Sequence, residues 1–126
     1  MAMAKRGKRP GDGELRLRLR LLYGQEIALG PGKVELLRLV DETGSIRQAA
    51  ARMGMSYMRA WTLIRTMNRC FEEPLVGAVR GGPEHGGAKI TPTGRKVLEL
   101  YLRLERECLA ATKGARRSLT AMLKRR

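Results

Sequence analysis

The side chains of this chain that could do chemistry are cationic or hydroxyl-bearing, and they recur at helical spacing. Within residues 56–71, SYMRAWTLIRTMNRCF, one face of a helical wheel carries Met58, Thr62, Arg65 and Arg69, flanked by Arg59 and Thr66. The other face carries Ala60, Leu63, Ile64, Met67 and Phe71, with Tyr57 at its margin. Such a rod buries one side and offers guanidinium and hydroxyl groups on the other, which is what reading base edges in a major groove requires. An ordinary surface helix with solvated arginines is the rival reading.

Ser56, Tyr57, Met58, Arg59 and Thr62 lie in the N-terminal half and are the candidates for reaching bases. Arg65 and Arg69 lie further along and suit phosphates. Trp61 sits between the two faces, where packing in the core or at an interface is favoured over a base contact.

Catalysis has little support. No paired carboxylates, no nucleophile with a histidine base and no metal cluster can be picked out. Glu99, Glu105 and Glu107 stand among Lys and Arg at helix-surface spacings that suit ion pairs. Cys70 and Cys108 fall outside any CxxC, and His85 is the single histidine, so zinc lacks its usual ligand spacing. Both thiols are expected as small buried apolar side chains, and no metal or cofactor is expected.

The elements that must hold the reading face follow from punctuation. Ser45 caps a helix over 45–53, which also offers Arg47 to a backbone, and its Ala49, Ala50 and Ala51 allow close approach. Gly54 supplies a positive φ at its end, and Ser56 caps the next helix, 56–71. Upstream, Gly30-Pro31-Gly32 introduces a helix over 32–42 that Gly44 ends, with Val34, Leu37 and Val40 inward and Leu36 and Leu39 flanking. Three such helices in succession form the trihelical core of a helix–turn–helix domain.

After Pro74 come two β-prone pieces, 75–80 and 88–91, around the glycine-rich residues 81–87. A glycine-rich loop between strands, just after a recognition helix, reads as a wing. Arg80, Gly82, His85 and Lys89 are its candidate backbone contacts, His85 as a plain polar group. A nucleotide-binding loop is a poor alternative, because the Gly-Lys-Ser/Thr ending is missing and a strand follows.

Thr91-Pro92 starts a long helix with two apolar stripes, Val97, Tyr101, Leu104, Cys108 and Ala111 beside Leu98, Leu102 and Leu109. One stripe can pack on the domain and leave the other for a second subunit, which makes Val97, Leu98, Tyr101, Leu102, Leu104 and Cys108 candidate dimerisation residues. At the start, Glu14 to Leu22 alternates Leu15, Leu17, Leu19 and Leu21 against Arg16, Arg18 and Arg20, the period of a half-buried strand. Residues 23–26 turn it back into a strand over 27–29, and the arginines guard its edge.

The expected fold is therefore mainly α (α+β): a winged helix–turn–helix with an N-terminal β-hairpin, a two-stranded wing and a long C-terminal dimerisation helix. It occupies residues 14–112, between a basic flexible tail, 1–13, and a basic C-terminal tail, 113–126, with Gly114 bending or breaking the helix.

The formal charge of +14 would attract a polyanion, either nucleic acid or an anionic membrane surface. No apolar run approaches the roughly 18 residues a membrane span needs, and no signal peptide is visible, so the cytoplasm is expected.

Several strings resemble the N-terminal DNA-binding domain of the ModE family, the molybdate-responsive transcriptional regulators of prokaryotes. They are Leu29-Gly30-Pro31-Gly32, Asp41-Glu42-Thr43-Gly44-Ser45-Ile46, Ala49-Ala50, Met55-Ser56-Tyr57 with Ala60-Trp61, Glu73-Pro74-Leu75-Val76, the Gly-Gly wing and Ile90-Thr91-Pro92-Thr93-Gly94. Together they cover residues 14–110, and a weaker resemblance extends to the winged helix of LysR-type regulators. The resemblance implies a winged helix–turn–helix, a homodimer joined partly through the terminal helix and N-terminal strand, and operator binding. Full-length members add small β domains that bind molybdate or tungstate; 126 residues leave no room for them, so binding of those oxyanions is not expected of this chain. The expectation is thus a sequence-specific double-stranded DNA-binding transcriptional regulator, acting as a homodimer on a pseudo-palindromic operator. The alternatives are a sequence-indifferent architectural binder of nucleic acid and a winged-helix protein-interaction module.

Overall fold

Among the described residues, three glycines with positive φ set corners of the chain: Gly24 at 64°, Gly44 at 70° and Gly54 at 69°. The computed structural model describes residues 15–79 and 87–124. A short hairpin, β1 (Leu21–Tyr23) and β2 (Glu26–Leu29), turns at Gly24 and leads into helix α1 (Pro31–Thr43). Gly44 ends α1 in the left-handed conformation, its N–H donating to the Val40 carbonyl at 2.8 Å. Helix α2 (Ile46–Met53) follows at once, with the Ser45 hydroxyl accepting from the Gln48 N–H at 3.1 Å. Gly54 closes it, and Ser56 caps α3 (Tyr57–Cys70) by accepting from the Arg59 N–H at 3.1 Å. The three helices, their caps and the turn between them are as expected.

Strands β3 (Val76–Ala78) and β4 (Ala88–Ile90) pair antiparallel, Val76 opposite Ile90 and Ala78 opposite Ala88. These are the base of the expected wing, each shorter than anticipated; Arg80, Gly82 and His85 lie outside the described residues. Helix α4 (Pro92–Ala111) starts from a Thr91 cap with Pro92 in its first turn, and α5 (Lys113–Ala121) follows after Thr112.

The core gathers around α1, which touches α2, α3, β2, β4 and α4. That explains why Leu36 and Leu39, expected at its flanks, are buried together with Leu37 and Val40: a helix covered on several sides needs more than one apolar stripe. Ala49, Ala50 and Ala60 are buried as well, and their small side chains let α2 and α3 approach each other closely. Leu36, Leu37, Val40, Ile64, Met67 and Leu75 are among the largest fully buried side chains, each contributing about 1.5–3 kcal/mol relative to exposure. They fix the angle at which α3 presents its other face.

Two segments depart from expectation. Residues 15–20 join no ladder; only Leu21–Tyr23 pairs, and its side chains are exposed. Leu17 and Leu19 are half-buried while Arg16, Arg18 and Arg20 are exposed, so the period of two marks an extended segment lying against helices. The Tyr101 hydroxyl donates to the Leu19 carbonyl at 2.8 Å, and the Leu15 N–H donates to Thr120 Oγ1 at 3.3 Å. At the other end, Lys113–Ala121 is a helix where a tail was expected, because Ala, Arg, Lys and Leu all favour that state. The interruption falls at Thr112, whose N–H and hydroxyl both donate to the Cys108 carbonyl, and Gly114 lies inside α5. No helix among the described residues is long and apolar enough to cross a membrane.

Candidate nucleic-acid interface

Ala60, Ile64 and Met67 seal one side of α3 into the core, which leaves Met58, Arg59, Trp61, Thr62, Arg65 and Arg69 exposed on the rest of its circumference. Among the described residues neither Arg59 nor Arg65 meets an acidic partner. The Thr62 hydroxyl donates to the Met58 carbonyl at 2.9 Å and the Thr66 hydroxyl to the Thr62 carbonyl at 3.1 Å. Arg69 turns away to the hairpin, donating to both Glu26 carboxylate oxygens at 3.0 and 3.2 Å. Its place in the last turn brings it beside β2. Such an exposed pair is worth about 0–1 kcal/mol, a weak tether beside a phosphate's pull.

The Tyr57 side chain is half-buried, its ring lying under the Arg47 guanidinium, 4.7 Å from the centroid. That stacking holds Arg47, on α2, beside the first turn of α3. Trp61 is 36% exposed, too open for a core residue. The wing base is tied to the same end of the domain. The Ala88 N–H donates to the Gly44 carbonyl at 3.1 Å, Ser45 bridges to Gly87, and the Val79 N–H donates to the Gly87 carbonyl at 3.0 Å. Lys89 on β4 is exposed. Ser45, Arg47, Ser56 and the exposed row of α3 therefore belong to one α2–α3 unit, and the wing base is bonded to its edge.

Two residues that sequence reasoning missed hold this surface together. Asn68 reaches from α3 to the start of the wing, its Oδ1 accepting from the Leu75 and Val76 N–H groups at 2.8 and 3.3 Å while Nδ2 donates to the Val76 carbonyl at 3.1 Å. Its signal was a lone amide on the flank of an amphipathic helix. Arg52 donates to Glu42 at 2.9 Å, and Arg38 donates to the same carboxylate at 3.2 Å, joining α1 to α2. Arg52 is the main reason that the Glu42 carboxyl lies below its ordinary range.

Away from this face, Leu98 (8% exposed) and Tyr101 (2%) are buried in their own domain. That corrects their expected availability to a second subunit: α4 packs on α1 along the seam between the two stripes and buries one residue of each. Val97, Leu102, Leu104 and Cys108 are half-buried, and Leu100 and Leu109 are exposed beside them. Cys70 and Cys108 are free thiols of intermediate exposure, less enclosed than expected. Burial, then the neighbouring Glu26 carboxylate, pushes the Cys70 thiol up, away from a reactive thiolate.

The chain matches no family model. Over 84 residues it is 40% identical to the molybdenum transport protein ModE of Azotobacter vinelandii, a match covering 67% of this chain and 31% of that protein. It is 40% identical over 83 residues to the transcriptional regulator ModE of Yersinia pestis, covering 66% of this chain and 32% of the relative. The DNA-binding transcriptional dual regulator ModE of Escherichia coli K12 is 38% identical over 83 residues, with the same coverage, 66% and 32%. The match thus spans about a third of the length of these relatives. Among solved structures, a LysR family transcriptional regulator superposes with a TM-score of 0.51 at 16% identity, over 66% of this chain and 27% of the other. That likeness is one of fold, and it agrees with the winged helix–turn–helix arrangement of α1 to β4.

Proposed function

We propose that this chain is a sequence-specific DNA-binding transcriptional regulator of the ModE type, which works in the cytoplasm and reads a pseudo-palindromic operator as a homodimer. One observation carries the reading. Helix α3 is capped, its apolar side is sealed into the core, and its outward side leaves Arg59, Thr62 and Arg65 open to solvent. A helix fixed this firmly, with its guanidinium donors uncovered, suits entry into a major groove. The relatives named as regulators support it, and so does the charge of +14.

In this reading Arg59, with Ser56, Tyr57, Met58 and Thr62, meets base edges. Arg47, Arg65, Arg69 and Lys89 meet phosphates, joined by Ser45 and by Arg80, Gly82 and His85 of the wing. Two copies join through α4, where Val97, Leu104 and Cys108 combine with the exposed Leu100.

The test is selection of bound fragments from random duplexes at about 150 mM salt, where non-specific phosphate binding is already weakened. The expected result is a motif with twofold symmetry. A ratio of selected to random affinity near one would overturn it in favour of an architectural binder, the reading that net charge alone supports.

A further inference from the structure

The outward side of α3 is richer in carbon than its arginines suggest. Among the described residues of α1, α2 and α3, Met58 (64% exposed) and Trp61 (36%) are the exposed large apolar side chains, and both lie in the first two turns of α3. Thr62 stands one turn beyond Met58. Its hydroxyl proton is used on the Met58 carbonyl at 2.9 Å, so what it can still offer a ligand is a γ-methyl group and an acceptor lone pair. On the helix surface Met58 therefore neighbours Trp61 at i+3 on one side and Thr62 at i+4 on the other, and its thioether and the Thr62 γ-methyl lie between the rows of Arg59 and Arg65.

A strip of this kind gains nothing from water and gains when apolar surface covers it. In a major groove the apolar group on offer is the C5-methyl of thymine. We infer that Met58, with the γ-methyl of Thr62 and the edge of Trp61, is a thymine reader, so that the recognition helix selects one or two T·A pairs by their methyl groups. The inference rests on the proposed operator binding and adds a determinant of specificity that is not a hydrogen bond. The chemistry sorts accordingly: guanidinium for guanine, thioether and methyl for thymine.

Deoxyuridine differs from thymidine only in that methyl group, which makes the experiment direct. Each thymine of the selected motif is replaced in turn by deoxyuridine, and affinity is measured for the wild-type chain and for Met58→Ala and Thr62→Ser. At one or two positions in each half-site the wild type is expected to lose about three- to tenfold, the worth of burying one methyl group. Met58→Ala, at an exposed site where alanine suits the helix, should bind the thymine duplex more weakly and be indifferent to uracil at the same position. Thr62→Ser, which removes only a methyl group, should blunt the uracil effect in part. A selected motif whose every thymine tolerates uracil within twofold overturns the inference and leaves the regulator reading intact. So does a Met58→Ala chain that still loses as much to uracil as the wild type. Failure to select any motif overturns both.

Discussion

At position 94 even one methyl group has no room. A Cβ added to Gly94 would press on the Leu75 carbonyl and lie 2.8 Å from Ile90 Cγ1. Overpacking against backbone is not relieved by a rotamer change, so Gly94→Ala is expected to cost about 1–3 kcal/mol, read as a lower urea midpoint at unchanged slope. The sequence showed this glycine only as part of a Thr-Pro-x-Gly string, because a close approach depends on a neighbour 19 residues away. The arginines of α3 divide differently. Arg59→Ala should relax base preference at one position, a loss of about 1–3 kcal/mol of discrimination. Arg65→Ala should weaken all duplexes alike and reduce the salt slope by about one phosphate unit. Equal losses on selected and random DNA for both variants would count against Arg59 as a base reader. The outward row was legible from periodicity of 3.6, but the fates of individual guanidiniums were not. Arg47 on the Tyr57 ring and Arg69 on Glu26 depend on partners that only the fold brings near.

Among the elements, the join between α3 and the wing is the one most open to a single substitution. Asn68 serves three backbone groups at Leu75 and Val76, and removing its amide leaves them half-buried without partners. Asn68→Ala is expected to cost about 1–3 kcal/mol and to speed amide exchange at Leu75 and Val76. The α1–α2 corner should respond to acid instead. Arg52 holds the Glu42 carboxyl below its ordinary range, so the pair's stabilisation is complete above the unfolded carboxylate pKa and is lost as pH falls through the lower, folded value. The difference in thermal stability between wild type and Glu42→Gln should accordingly vanish at low pH.

Helix caps and glycine corners were readable because each acts within four residues of itself. Leu–Arg alternation at 15–20 fixed only extension, since pattern says nothing of whether a strand or a helix lies alongside. Likewise the basic run after Thr112 read as a tail, because its helix buries nothing in this chain and so leaves no core signal.

At the scale of the whole molecule, the proposed dimer makes its own prediction. Leu100 is 46% exposed on α4, so Leu100→Glu spares the core. It is expected to shift sedimentation equilibrium from twice the 14.1 kDa chain mass toward once that mass, and to weaken binding to a full site more than to a half-site. An unchanged mass would move the interface elsewhere. The same helix also begins on the wing. Thr91 donates its hydroxyl to the Pro74 carbonyl at 2.7 Å and its N–H to the Leu75 carbonyl at 2.9 Å, on the same residue whose N–H Asn68 holds. Paired copies built this stiffly would act as a caliper whose jaws cannot rotate independently. Inserting one base pair at the centre of the site would swing one half around the duplex by about 35°, out of register with its jaw. The gap between half-sites would then be as much a part of the message as the letters on either side.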